Sequence, residues 1–61
     1  MLNLIDTFSA MLAADVYGER VENTESAMTE GARDLVGAHG FKTDAKTIKR
    51  IVEGAQKYLS R

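Results

Sequence analysis

The chain has 61 residues, a net charge of −1, one histidine, and neither cysteine nor proline. This length allows one domain at most, and a domain of this size buries only about 60% of the surface that its unfolded chain exposes, so its stability is marginal. Disulfides and thiolate zinc sites are excluded, and no metal or cofactor is predicted, which leaves a partner chain as the expected source of further stability.

The first helix is predicted over residues 3–17. Asn3 is its expected N-cap, Asp6 lies in the first turn, where an acid favours the positive end of the helix dipole, and Gly18 follows the last turn. At helical spacing, one broad apolar stripe is predicted to face the core: Leu4, Ile5, Phe8, Met11, Leu12 and Val16.

A second stripe of the same helix lies almost opposite the first and is predicted to stay exposed in a monomer. Because small residues beside an aromatic ring allow close helix packing, we expect this stripe to be an interface with another protein chain. Its members are Leu2, Ala10, Ala13, Ala14 and Tyr17.

Asp15 lies within the apolar surface of this helix, and two interpretations of it stay open. A buried carboxylate needs a partner, which would be a base of the third helix or Arg20 of a neighbouring chain. Alternatively, the helix frays before Asp15 and leaves its carboxylate in water.

The second helix is predicted over residues 25–39, with Asn23, Thr24 and Ser26 as competing N-caps. Its core face is Met28, Ala32, Leu35 and His39, with Val36 beside it. Gly40 fits the left-handed position after the helix, and Phe41 is then expected to fold back onto Val36, as in a Schellman turn.

The third helix is predicted over residues 43–60, with Thr43 as its cap and Asp44 in its first turn. Gly54 is expected to let another backbone come close. The apolar stripe is Ala45, Ile48, Ile51, Val52, Ala55, Tyr58 and Leu59. Bases lie on the opposite side, where Lys49 with Glu53 and Glu53 with Lys57 are spaced to form ion pairs.

No catalytic site is predicted. The imidazole of His39 is expected to interact with the last carbonyls of the second helix, because no patterned nucleophile or base accompanies it. The acids Glu19, Glu22 and Glu25 are interpreted as a solvated face, since the segment lacks the geometry of a calcium loop.

No targeting segment or membrane contact is predicted either, and we expect a cytoplasmic protein. Asp6 and Asp15 interrupt the apolar opening, and no run approaches about 18 apolar residues.

Charge is unevenly distributed along the chain. Residues 1–34 hold seven acids and two bases, a net −5, whereas residues 35–61 hold six bases and two acids, a net +4. This split favours antiparallel or head-to-tail docking between the two halves, within one chain or between two, and it offers a basic surface to an outside anion.

The sequence therefore predicts an all-α, three-helix domain that assembles as a homo-oligomer. Its predicted function is non-enzymatic protein binding, as a regulator or inhibitor, through the first helix, with itself and with a larger host protein as partners. The alternative is a small dimeric helix-turn-helix regulator, in which the third helix contacts nucleic acid through Lys46, Lys49, Arg50 and Lys57. The slightly negative net charge and the long spacing from Gly40 to Ile48 count against this alternative.

Overall fold

The computed structural model describes residues 3–60, which form three α-helices. They are α1 (Leu4–Tyr17), α2 (Glu25–Ala38) and α3 (Ala45–Leu59), and the described residues contain no strand. The predicted all-helical class is confirmed, and each helix begins and ends within two residues of its predicted bounds.

Side-chain caps fix the starts of α1 and α2. The Asn3 side chain accepts a hydrogen bond from the Asp6 backbone N–H at 2.8 Å, as predicted. Among the three competing caps of α2, Thr24 is the one that acts, since its hydroxyl accepts from the Ala27 N–H at 3.2 Å. These bonds satisfy amides that have no partner inside the helix.

The cap of α3 differs from the prediction. Asp44, and not Thr43, is the N-cap, and its carboxylate accepts from the Lys46 and Thr47 N–H groups at 2.9 and 3.2 Å. The Thr47 hydroxyl donates to the same carboxylate at 2.8 Å. Both adjacent residues are competent caps, so the choice depends on where the chain turns into the helix.

A Schellman turn ends α2, as predicted. Gly40 has a φ of +79°, the Phe41 N–H donates to the Val36 carbonyl at 3.1 Å, and the Gly40 N–H donates to the Gly37 carbonyl at 3.0 Å. The turn brings Phe41 back over the end of the core, where its ring lies edge-on to that of Phe8 with centroids 5.9 Å apart.

The end of α1 has the same hydrogen-bond pattern, but glycine is not at its left-handed position. Gly18 has a φ of −83°, and Glu19 has a φ of +62°. The Glu19 and Arg20 N–H groups donate to the Val16 and Asp15 carbonyls at 3.0 and 2.9 Å. A left-handed conformation costs a residue with a β-carbon about 1–2 kcal/mol, so this turn is strained.

The core lies between the three helices, and α1 makes its most extensive contact with α3. At their crossing, Ser9 is buried and its hydroxyl donates to the Ile5 carbonyl at 2.7 Å. Gly54 of α3 faces Ser9 so closely that an added β-carbon would lie 2.8 Å from the Ser9 Cβ. The predicted close approach at Gly54 is thus present. The buried apolar residues are Phe8, Leu12, Ala13, Val16, Met28, Ala32, Val36, Ile48, Ile51, Val52 and Ala55.

Candidate protein-binding cleft

The stripe predicted as the interface of α1 is divided by the fold. Ala13 is buried in the core of its own chain, which contradicts its predicted exposure, and Ala10 is half-buried. Because Ala13 follows Ser9 by one helical turn, the close packing of α3 at Ser9 covers that side of α1. Ala14 and Tyr17 remain exposed, whereas Leu2 lies outside the described residues.

Leu4 is also placed differently from the prediction. It was expected in the core, but 55% of its surface is exposed. Leu4 is the first residue of α1 and lies at the border of the apolar stripe, where burial by the other helices is incomplete. An exposed leucine here adds to the apolar surface available to a partner.

Leu4 and Phe41 flank an open cleft where the start of α1 meets the connection between α2 and α3. The cleft encloses about 320 Å³, and 47% of the Phe41 surface is exposed. Buried and half-buried side chains form the rest of its apolar lining. Its apolar lining comes from all three helices and the connection: Leu4, Ile5, Phe8, Val36, Phe41 and Ile51. We refer to these six residues as the apolar cleft.

Aromatic contacts fix one wall of the apolar cleft. The Phe8 ring lies edge-on to Phe41 on one side and to His39 on the other, with centroids 5.9 and 5.3 Å apart. A hydrogen bond of 2.9 Å joins His39 Nδ1 to the Leu35 carbonyl. The imidazole thus contacts the last carbonyls of α2, as the sequence indicates, and it also supports Phe8. Edge-to-face pairs contribute about 0.5–1.5 kcal/mol each, so this wall is held in place.

The polar rim of the apolar cleft presents a free positive charge. Lys42, Asp44 and Thr47 line the rim, and Lys42 forms no ion pair within the described residues 3–60. Asp44 is occupied by its capping bonds. The hydroxyl of Thr47, then the N–H groups of Thr47 and Lys46, donate to its carboxylate and lower the pKa of Asp44. Lys42 is therefore available to a partner, whereas the carboxylate of Asp44 is engaged in capping α3.

The opposite end of α1 carries the most exposed of the large apolar side chains in residues 3–60. Tyr17 is 87% exposed and is followed by the exposed acids Glu19 and Glu22. Neither acid forms an ion pair among the described residues.

The frayed interpretation of Asp15 is wrong, and its carboxylate has a partner within its own chain that the sequence did not suggest. The helix continues past it to Tyr17, and its carboxylate lies 3.5 Å from the guanidinium of Arg20 in the same chain. The strained turn after α1 brings Arg20 back beside Asp15, a local effect that spacing alone does not indicate.

The bases of α3 lie on the side away from the core, as predicted. However, neither of the two expected ion pairs with Glu53 forms. Across residues 3–60 the one ion pair is that between Asp15 and Arg20. Thus the charges of this face are available to a partner. The predicted nucleic-acid contacts Lys46, Lys49, Arg50 and Lys57 are all exposed.

No group of three or more His, Asp or Glu side chains in the described part could hold a metal ion. Within that part, each helix is too short or too polar to cross a membrane. Comparisons of the chain with protein-family models, with curated proteins and with solved structures give no match.

Leu4 and Phe41 are the candidate binding residues that sequence patterns missed. Leu4 follows the core periodicity, which predicts a core position for it. The Schellman pattern places Phe41 against Val36, although an aromatic residue directly after the glycine of a connection is a usable signal of a binding residue. The connection in which Phe41 lies brings it to the start of α1, and this contact between distant segments determines the cleft.

Proposed function

We propose that this chain is a small, non-enzymatic protein-binding module, and that the apolar cleft receives a large apolar side chain of its partner. The observation that carries the proposal is the exposure of Leu4 and Phe41, at 55% and 47%, which both line one concave apolar surface. In small soluble proteins, exposed apolar residues that adjoin in this way mark interaction sites.

The dimensions and charge of the cleft indicate the kind of partner. Its volume of about 320 Å³ is at the lower end of the range for ligand pockets, which suits one anchoring side chain. Lys42 on the rim favours a partner with acids beside the anchor, because complementary charges guide the encounter and fix its orientation. The expected ligand is therefore an aromatic or large aliphatic residue flanked by acidic residues.

A peptide titration followed by NMR tests the proposal. The probe is a short synthetic peptide with one central tyrosine between glutamates, and the same peptide with alanine at the centre is its control. We expect the tyrosine peptide to shift the amide resonances of Leu4, Phe41 and Lys42 and to bind at least tenfold more tightly than the control. Equal effects of both peptides, or shifts confined to other surfaces, would refute the assignment.

Nucleic-acid binding by α3 is a second candidate, favoured by the missing ion pairs of its basic face. Glu53 lies among these bases, and six residues connect α2 to α3, whereas a helix-turn-helix typically uses three or four. The test is binding to random duplex DNA at two salt concentrations. A steep loss of affinity with salt that Lys46→Ala or Arg50→Ala reduces would support this function, and weak binding unaffected by both substitutions would exclude it.

A further inference from the structure

We propose that the occupant of the apolar cleft is the Tyr17 end of a second copy of this chain, so that copies associate head to tail. This inference rests on the proposed function, since it names the partner of the same cleft. It depends on the two ends of α1. One end borders a cleft with a basic rim, and the other carries an exposed aromatic ring beside free acids.

Charges at the two ends are complementary. Lys42 at the cleft and Glu19 and Glu22 beyond Tyr17 are exposed and form no ion pair within the described segment. Two charges of opposite sign are already engaged within the chain, since the Asp44 carboxylate caps α3 and the Arg20 guanidinium pairs with Asp15. Asp6 in the first turn of α1 is a further exposed acid, but it is not among the residues that line the cleft. Within the cleft lining the free charge is therefore that of Lys42, and it is opposite in sign to Glu19 and Glu22.

The dipole of α1 adds to this complementarity. The last turn of α1 contains no basic residue that would offset the negative end of its dipole beside Tyr17. The positive end of α3 already has an anion, the capping carboxylate of Asp44, so Lys42 is the cation that the cleft presents. Docking the Tyr17 end into the cleft brings the negative end of α1 towards the Lys42 ammonium of the second copy.

Geometry requires two copies for this contact. Leu4 and Tyr17 are separated by 13 steps along α1, a distance of about 20 Å at 1.5 Å per residue. The tyrosine therefore cannot reach the cleft of its own chain. Head to tail here means that unlike ends of α1 meet, which two copies can do reciprocally, as a two-fold dimer, or in one direction, as an open chain with one free patch at each end.

Two variants each disable one of the two patches and leave the core unchanged. Tyr17→Ala removes the ring, whose exposure of 87% leaves little for it to contribute to the fold. Leu4→Glu places an acid at the cleft edge, where it repels Glu19 and Glu22, and an acid is compatible with the first turn of a helix. Circular dichroism of both variants checks that each remains folded.

Sedimentation velocity then tests the inference. We expect the average mass of the original chain to rise with concentration and each variant alone to stay monomeric. An equimolar mixture of the two variants should form a dimer and nothing larger, because it contains one working cleft for each working tyrosine. A reversed charge gives an independent check, since Lys42→Glu should weaken association at least tenfold and Glu19→Lys should restore it in the double variant.

Each alternative result has a definite meaning. If the original chain is monomeric throughout, or if Tyr17→Ala still associates, or if the mixture stays monomeric, the head-to-tail inference is wrong. The peptide titration distinguishes this failure from that of the proposed function. If the cleft binds the tyrosine peptide but the chain does not self-associate, the cleft takes a foreign partner. If the peptide does not bind and the chain does not self-associate, the cleft is not a binding surface.

Discussion

Ser9 of α1 and Gly54 of α3 meet where the two helices cross, and a β-carbon added to Gly54 would lie 2.8 Å from the Ser9 Cβ. Real β-carbons do not approach this closely, so the glycine sets the distance between the helices. The same approach buries Ala13, whereas Leu4 and Tyr17, at the two ends of α1, are its large apolar residues that remain exposed.

Gly54→Ala should therefore destabilise the fold. We expect the free energy of unfolding to fall by about 1–3 kcal/mol, the cost of overpacking a core, as measured by urea denaturation. Gly37→Ala is the matched control, because its new β-carbon would meet only the Thr43 Cγ2 at 3.9 Å. That variant should be more stable by about 0.5–1 kcal/mol.

A second-site substitution checks the cause of the destabilisation. Ser9→Gly in the Gly54→Ala background removes the clashing Cβ, so the double variant should lose less stability than the sum of the single variants. Strict additivity would mean that the two residues do not determine the helix spacing.

Glu19→Gly should stabilise the protein, because it places glycine at the left-handed residue of the turn after α1. The expected gain in the free energy of unfolding is about 1 kcal/mol, and Gly40→Ala should have the opposite sign, since Gly40 is left-handed too. Thermal unfolding measures both changes. A loss of stability in Glu19→Gly would show that the Glu19 side chain makes a stabilising contact that outweighs the backbone strain.

Acid should weaken the start of α3 through Asp44. The hydroxyl of Thr47, followed by backbone N–H groups, lowers the pKa of the Asp44 carboxyl in the folded state. A lowered pKa contributes stability that is fully present above the ordinary pKa of 3.8 and is lost as the pH falls through the folded-state value. The difference in melting temperature between the original chain and Thr47→Val should shrink below about pH 4. A difference that is constant with pH would contradict this role of the Thr47 hydroxyl.

The ion pair between Asp15 and Arg20 should contribute little to stability. The Arg20 side chain is 81% exposed, so Arg20→Ala is expected to cost less than about 1 kcal/mol, and high salt should reduce that cost further. Denaturation at low and high salt measures the effect. A loss that is large and independent of salt would instead indicate a structural role for the Arg20 stem or backbone.

Local signals in the sequence predicted much of the fold. Asn3, Thr24 and Gly40 each act within one turn of the chain, and their roles at helix ends follow from residue type and position. The prediction of Thr43 as the cap of α3 is wrong because residue type does not distinguish two adjacent capping residues, whereas the path of the chain into the helix does. The left-handed conformation of Glu19 does not follow from the sequence for a related reason, since Gly18 precedes it and is the residue expected to end the helix.

The candidate site was less predictable because it depends on contacts between distant segments. Helical periodicity gives the side of α1 on which Ala13 and Leu4 lie, but not where α3 crosses it. The meeting of Ser9 with Gly54 decides that crossing, and Phe41 reaches Phe8 from a connection far along the chain. Tyr17 is predicted as an interface residue and is exposed, while its use in binding remains a prediction.

Comparing peptide binding with stability in Leu4→Ala tests most directly whether Leu4 is a binding residue. If Leu4 serves a partner, this variant should bind the tyrosine peptide at least tenfold more weakly, while its free energy of unfolding changes by less than about 1 kcal/mol, because the side chain is 55% exposed. A variant that loses about 2 kcal/mol or more of stability and binds the peptide with unchanged affinity would show that Leu4 belongs to the core, contradicting the central claim.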